Sequence, residues 1–209
     1  ADGKTIGQGL EEMDKIASET LDDTFRTALS GDSKDYRESS SSLMFAFILA
    51  LVLIYLILAA QFESFKDPFI IMLTVPLAIA GALIFMFAGG ITMNIFSQIG
   101  IIMLIGLVAK NGILIVEFAN LKQESGEDKM AAIRNAALQR LRPILMTSVS
   151  TILGLIPLAF ATGEGANQRI AMGTAVVGGM LVSTLLTMYI VPAIYTYIST
   201  NRKVKTETV

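Results

Sequence analysis

The sequence predicts an all-α membrane protein, five transmembrane helices preceded by a short α/β segment, and three observations carry that expectation. Hydrophobic residues make up 53% of the 209 and the mean hydropathy is +0.63, a balance found in integral membrane proteins. Five apolar segments are each long enough to supply the ~20 residues that a bilayer-spanning helix needs. Residues 1–42 are a different material, holding Asp2, Glu11, Glu12, Asp14, Glu19, Asp22, Asp23, Asp32, Asp35 and Glu38, more than half of the 18 acidic residues.

Within that acidic stretch Leu10, Met13, Ile16, Ala17 and Leu21 recur at helical spacing. Residues 24–29 (TFRTAL) follow as a short expected strand before the turn-like Ser30-Gly31-Asp32. Forty-odd residues are too few to bury a core, so 1–42 is expected to be the end of a larger soluble domain. The opening ADGKTIGQGL has no initiator Met and no basic region followed by an apolar one, and the chain reads as part of a longer polypeptide.

The expected spans are 43–60, 68–88, 93–120, 143–161 and 170–199, with 200–209 as a tail. The second starts at Asp67-Pro68, a capping residue before a Pro at the first helical position, and the fourth at Arg142-Pro143. Pro76, Pro157 and Pro192 are expected to kink their helices, as Pro commonly does in membranes. Gly178-Gly179 and Gly81 read as sites of close helix contact. Lys66, Lys122, Lys129, Arg134, Arg140, Arg142, Arg202, Lys203 and Lys205 fall on one side of the spans, and only Arg169 in the opposite short connections. The positive-inside rule places the tail in the cytoplasm and residues 1–42 outside.

The residue of greatest interest is Lys110, in the segment 99–116 (IGIIMLIGLVAKNGILIV), where every other side chain is uncharged and only Asn111 is strongly polar. An ammonium near the centre of a span costs about 2.5–3.5 kcal/mol even on the mildest scale, and intramembrane ionisable residues usually mark ion or substrate paths. Entering from the outer face, Lys110 lies more than ~20 Å deep. Glu117 shares its face but sits about 10 Å further along the axis, too far for a direct pair. The other spans offer no carboxylate, so either Lys110 is neutral in this chain or its counter-ion is expected from sequence outside it.

Arg140, Thr147 and Thr151 lie near one face of the fourth span and are candidates to line a wet path toward Lys110. The alternatives stay open: Thr147, Ser148, Ser150 and Thr151 bond back to carbonyls of the preceding turn, Arg140 and Arg142 anchor at the interface, and Asn111 bonds across helices as packing glue. No Cys, His or Trp occurs, which removes disulfides, thiol chemistry and imidazole relays and leaves carboxylates and Lys to carry any proton. The 11 Met residues show no shared spacing for a Cu(I) ladder, and no metal or organic cofactor is expected. No phosphate-cradling GxxxxGK[ST] loop occurs, and a net charge of -2 implies no nucleic-acid partner.

Three runs carry a family resemblance: LAAQFESFKDPFIIMLTVPLAIAGAL (58–83), GLVAKNGILIVEFAN (106–120) and RLRPILMTSVSTILGLIPLAF (140–160). They resemble the C-terminal membrane half of resistance-nodulation-division efflux pumps of the hydrophobe/amphiphile branch, and the likeness covers nearly the whole chain. It implies that the five spans correspond to helices 8–12 of a twelve-helix pump and that 1–42 ends the periplasmic porter region. It implies a proton-driven antiporter of the inner membrane, a homotrimer working with a periplasmic adaptor and an outer-membrane channel, with protons as the coupling ion. In such pumps a lysine of the tenth helix pairs with two aspartates of the fourth, and Lys110 stands at its place. Arg140 and Thr147 match the arginine and threonine of the same relay.

Two other readings remain open at this level. One is a relative that moves metal ions, lipids or proteins, against which the FESF-type loop and the KNGILIVEF run favour the drug branch. The other is a non-transporting scaffold in which Lys110 makes a fixed buried salt bridge.

Overall fold

A computed structural model describes residues 6–22 and 24–200. Expectations for Asp2, Asp23 and the tail beyond Thr200 lie outside the described residues. Seven helices follow in order: α1 (Ile6–Thr20), α2 (Asp32–Phe62), α3 (Lys66–Met72), α4 (Thr74–Ala88), α5 (Ile95–Glu124), α6 (Lys129–Ala159) and α7 (Ala166–Ile198). Five stretches are long and apolar enough to cross a membrane: Ser42–Phe62, Lys66–Ala88, Ile95–Glu124, Lys129–Ala159 and Ala166–Ile198.

No strand forms among the described residues, and 25–30 is irregular. The expected α/β segment is therefore corrected to helix α1 plus an irregular connection. A lone extended segment gains nothing without a neighbouring strand to complete its ladder hydrogen bonds.

α7 is the hub, packed most extensively on α4, then α5 and α6. The small residues expected at close contacts are found there: a Cβ on Gly81 would lie 2.6 Å from Val182 Cβ, one on Gly179 would lie 2.9 Å from Ala78 O, and one on Gly178 would enter the Phe85 side chain. Removing side chains at these points lets α4 and α7 approach to backbone contact, the usual device for packing helices in lipid. One apolar cluster joins Ile70, Ile71, Ile115, Val116, Ile144 and Val191, and a second joins Ala78, Ala82, Leu104, Val108, Val176 and Met180. α2 stands apart, with 6% of its span buried against 56% for α5.

Three expected helix starts move, the first being that of α2, which begins at Asp32 rather than at 43. α6 begins at Lys129, several turns before Pro143, with the Asp128 carboxylate accepting from Met130 N–H at 3.1 Å. The stretch was expected to be loop because it is charged, yet Ala132, Ile133 and Ala136 face the bundle while Met130, Arg134 and Arg142 face out. This is the pattern of an amphipathic helix, into which Pro143 is absorbed as an interior residue. The second span begins at Lys66, where Ser64 Oγ accepts from Lys66 N–H at 3.2 Å and Asp67 N–H at 3.4 Å, and Asp67, expected as the cap, is instead inside the helix and buried. The same span breaks at Leu73, shortly before Pro76, so that α3 and α4 are separate helices. α5 starts on a capping box in which Asn94 Oδ1 accepts from Ser97 N–H at 2.8 Å and Ser97 Oγ accepts from Asn94 N–H at 2.9 Å.

Candidate functional site

α5 carries two unlike faces. Ile99, Met103, Gly106, Lys110, Glu117 and Leu121 are exposed and recur at three-, four- and seven-residue steps, forming one outward stripe. Among the described residues Lys110 has no hydrogen-bond or ion-pair partner. Glu117, the other ionisable residue of the stripe, lines a cavity of about 230 Å³ with Gln61, Glu63, Asn120 and Glu124.

Asn111, one residue on, faces inward and is buried. Its Nδ2 donates to Ser148 Oγ of α6 at 3.2 Å and, at 3.4 Å, to Thr184 Oγ1 of α7. Thr184 Oγ1 donates in turn to Ser148 Oγ at 3.2 Å, closing a three-helix junction. Asn111 thus makes cross-helix hydrogen bonds at the depth of Lys110, about a quarter turn around the helix from it. The next polar residue along α7, Thr187, has a buried Oγ1 with no partner among the described residues.

On α6 the hydroxyls divide. Thr147 Oγ1 donates to Ile144 O at 3.1 Å and Thr151 Oγ1 to Thr147 O at 2.8 Å, so both close on their own helix, whereas Ser148 reaches across to its neighbours. The exposed Thr147 and half-buried Thr151, four residues apart, share one face of α6. Arg140 lies with its guanidinium carbon 4.4 Å from the Phe118 ring centroid, and its Nε is buried without a hydrogen-bond partner. Lys122 Nζ lies 5.7 Å from the same ring, so Phe118 of α5 collects two cations. Lys122 also pairs with Glu127 at 2.6 Å, and Asn135 Nδ2 donates to the other Glu127 oxygen at 2.9 Å. The Lys122 hydrogen bond, and then that of Asn135, hold the Glu127 carboxyl below the usual carboxylate range.

A polar cluster that sequence reasoning missed sits at the α3 end of the bundle. Asp67, 2% exposed, accepts from Asn120 Nδ2 at 3.1 Å and from Ser199 Oγ at 3.2 Å. The Tyr195 hydroxyl donates to Asn120 Oδ1, and Gln123 Nε2 donates to that hydroxyl at 2.8 Å. Lys129 Nζ donates to the Ser199 carbonyl at 2.6 Å. The available signal was the α7 face itself, where Thr184, Thr187, Tyr195 and Ser199 recur at helical steps inside an apolar span.

A family model described as the AcrB/AcrD/AcrF family matches residues 1–199. The chain is 38% identical over 208 residues to an uncharacterized transporter of Haemophilus influenzae, covering 96% of this chain and 20% of that protein. It is 39% identical over 199 residues to the toluene efflux pump membrane transporter TtgB of Pseudomonas putida, covering 95% and 19%. It is 40% identical over 196 residues to the multidrug resistance protein MdtF of Escherichia coli, covering 93% and 19%. The chain thus spans about a fifth of the length of these curated relatives.

Proposed function

The chain belongs to the AcrB/AcrD/AcrF family of resistance-nodulation-division transporters, and from that premise we propose that it is the proton-coupling part of a secondary transporter exporting hydrophobic or amphiphilic compounds. The observation that carries this reading is Lys110, an ammonium within a span, exposed on an apolar stripe with no partner among the described residues. Such a group needs a carboxylate from another part of the pump, because an unpaired charge in hydrocarbon is expensive.

The relay consists of Lys110, Arg140 and Thr147, with Asn111 holding the helix at that level and Glu117 and Thr151 as further members. When a partner carboxylate takes up a proton the pair loses its attraction, and Lys110 moves toward another acceptor. One charge moving across 100 mV corresponds to about 2.3 kcal/mol, sufficient to bias states that differ by a few kcal/mol. The coupling ion is the proton, and no ATP is hydrolysed. The partners are the remainder of the pump with its fourth-helix aspartates and porter domain, sister protomers in a homotrimer, a periplasmic adaptor and an outer-membrane channel. The assembly lies in the bacterial inner membrane with residues 1–42 periplasmic and the C-terminus cytoplasmic.

The names of TtgB and MdtF support the substrate class, and the unpartnered Lys110 disfavours a scaffold whose salt bridge is already made within these residues. The test is substrate export by full-length pump carrying Lys110→Met. Loss of export with normal assembly is expected, whereas normal export sinks the coupling reading, and loss of assembly with it returns Lys110 to a structural role.

A further inference from the structure

The Asp67 cluster takes no part in the relay, yet it joins the helix that carries Lys110 to three other elements. Asp67 lies on α3, Asn120 and Gln123 on α5, Tyr195 on α7 with Ser199 at its end, and Lys129 opens α6. The two carboxylate oxygens divide the work: Oδ2 accepts from Asn120 and Oδ1 from Ser199. The carboxylate therefore ties α3 to α5 and α7 at once.

A second contact places α3 against α5 beside Lys110. A Cβ on Gly112 would lie 3.2 Å from Ile71 Cγ2, so the helices touch two residues from the ammonium as well as at Asn120. Ile70 and Ile71 are fully buried, and α3 runs to Met72, one residue short of α4. A seven-residue helix gripped at both ends by its neighbour moves with that neighbour.

We propose that Asp67 is a positioning residue for transport, an inference that rests on the proton-coupled reading above. By accepting from Asn120 and Ser199 it binds α3 to the ends of α5 and α7, so that a displacement begun at Lys110 carries α3 with it. Two bonds made at once, to two different helices' residues, leave the Asp67 side chain little freedom.

The experiment measures ethidium efflux by full-length pump in proteoliposomes under an imposed pH gradient, with rates normalised to assembled protein. Asp67→Leu, which cannot accept either bond, is expected to lower the maximal rate by about tenfold or more at an unchanged half-saturating concentration. Asp67→Asn, whose amide oxygen can still accept from Asn120 while its NH2 donates to the Ser199 hydroxyl, keeps both ties and is expected to stay within about twofold of wild type. A wild-type maximal rate in Asp67→Leu, whatever its thermal stability, overturns the proposal, and so does an equal loss in Asp67→Asn, which would assign the effect to charge. Should Asp67→Leu fail to assemble, Ser199→Ala decides: about a threefold loss supports the proposal and a wild-type rate overturns it. No gradient-driven efflux by wild type, or full efflux by Lys110→Ala, overturns the coupling reading and this inference with it. Coupled efflux that depends on Lys110 but not on Asp67 overturns only this one.

Discussion

The two faces of α5 treat polarity in opposite ways. On the sides turned to other helices Asn111, Asn120 and Gln123 are buried and each is hydrogen-bonded to a neighbouring helix. On the outer face Lys110 is exposed among apolar residues and bonded to no described residue. A bonded amide in a membrane fixes how helices pack, whereas an unpartnered charge within a span is costly. The same helix is thus finished on one side and open on the other.

The difference can be broken most severely at Lys110. In the full-length pump Lys110→Ala is expected to reduce export to the background of an empty vector while leaving thermal unfolding in detergent nearly unchanged. Normal export would erase the functional distinction between the faces. Next in size are changes on the packed side of the bundle. Gly178→Val places atoms where the Phe85 side chain lies and should destabilise the fold by about 1–3 kcal/mol, read as a lower midpoint of unfolding.

Asn111→Leu sharpens the contrast further, because Ser148 and Thr184 keep each other as partners. Its cost is expected at about 0.6–2 kcal/mol, with export lowered less than by loss of Lys110. Thr147→Val should leave stability within about 0.5 kcal/mol, since the hydroxyl returns only to Ile144 O, while lowering export if Thr147 belongs to the relay. Unchanged export would assign that hydroxyl to its own helix alone.

The smallest effect is expected outside the spans, at Glu127. Its folded-state pKa is depressed, so its contribution to stability is present above the unfolded carboxylate value and is lost as pH falls through the lower folded value. Glu127→Gln should remove that acid dependence with little change at neutral pH, as expected for an exposed pair. An unchanged pH profile in the variant would show that Lys122 and Asn135 leave the carboxyl unperturbed.

The hydrophobic spans were legible because hydropathy integrates over ~20 residues, and Lys110 was legible because a single charge breaks such a run. Its lack of a nearby partner followed from counting carboxylates. The Asp67 cluster was not legible: Asp67 looks like a cap beside Pro68, and its partner Ser199 is 132 residues away. The N-terminal part of α6 was hidden by its charges, since basic residues between spans resemble a loop until their helical face is recognised. The break at Leu73 lacks a local signal strong enough to separate it from an ordinary Pro kink near Pro76. The strand expected at 24–29 shows the reverse error, where local β preference is overruled for want of a partner.

The pairing of Asn111 with α6 and α7, together with that of Gln123 and Asn120 with Tyr195, has a mechanical meaning. A rod pinned to its neighbour at two heights cannot spin about its own axis. Any answer to a pull on Lys110 must therefore come as a tilt or slide of α5, α6 and α7 moving as one block. On the proposed coupling, the unit set in motion is then not a side chain or a single helix but these three helices with α3 attached.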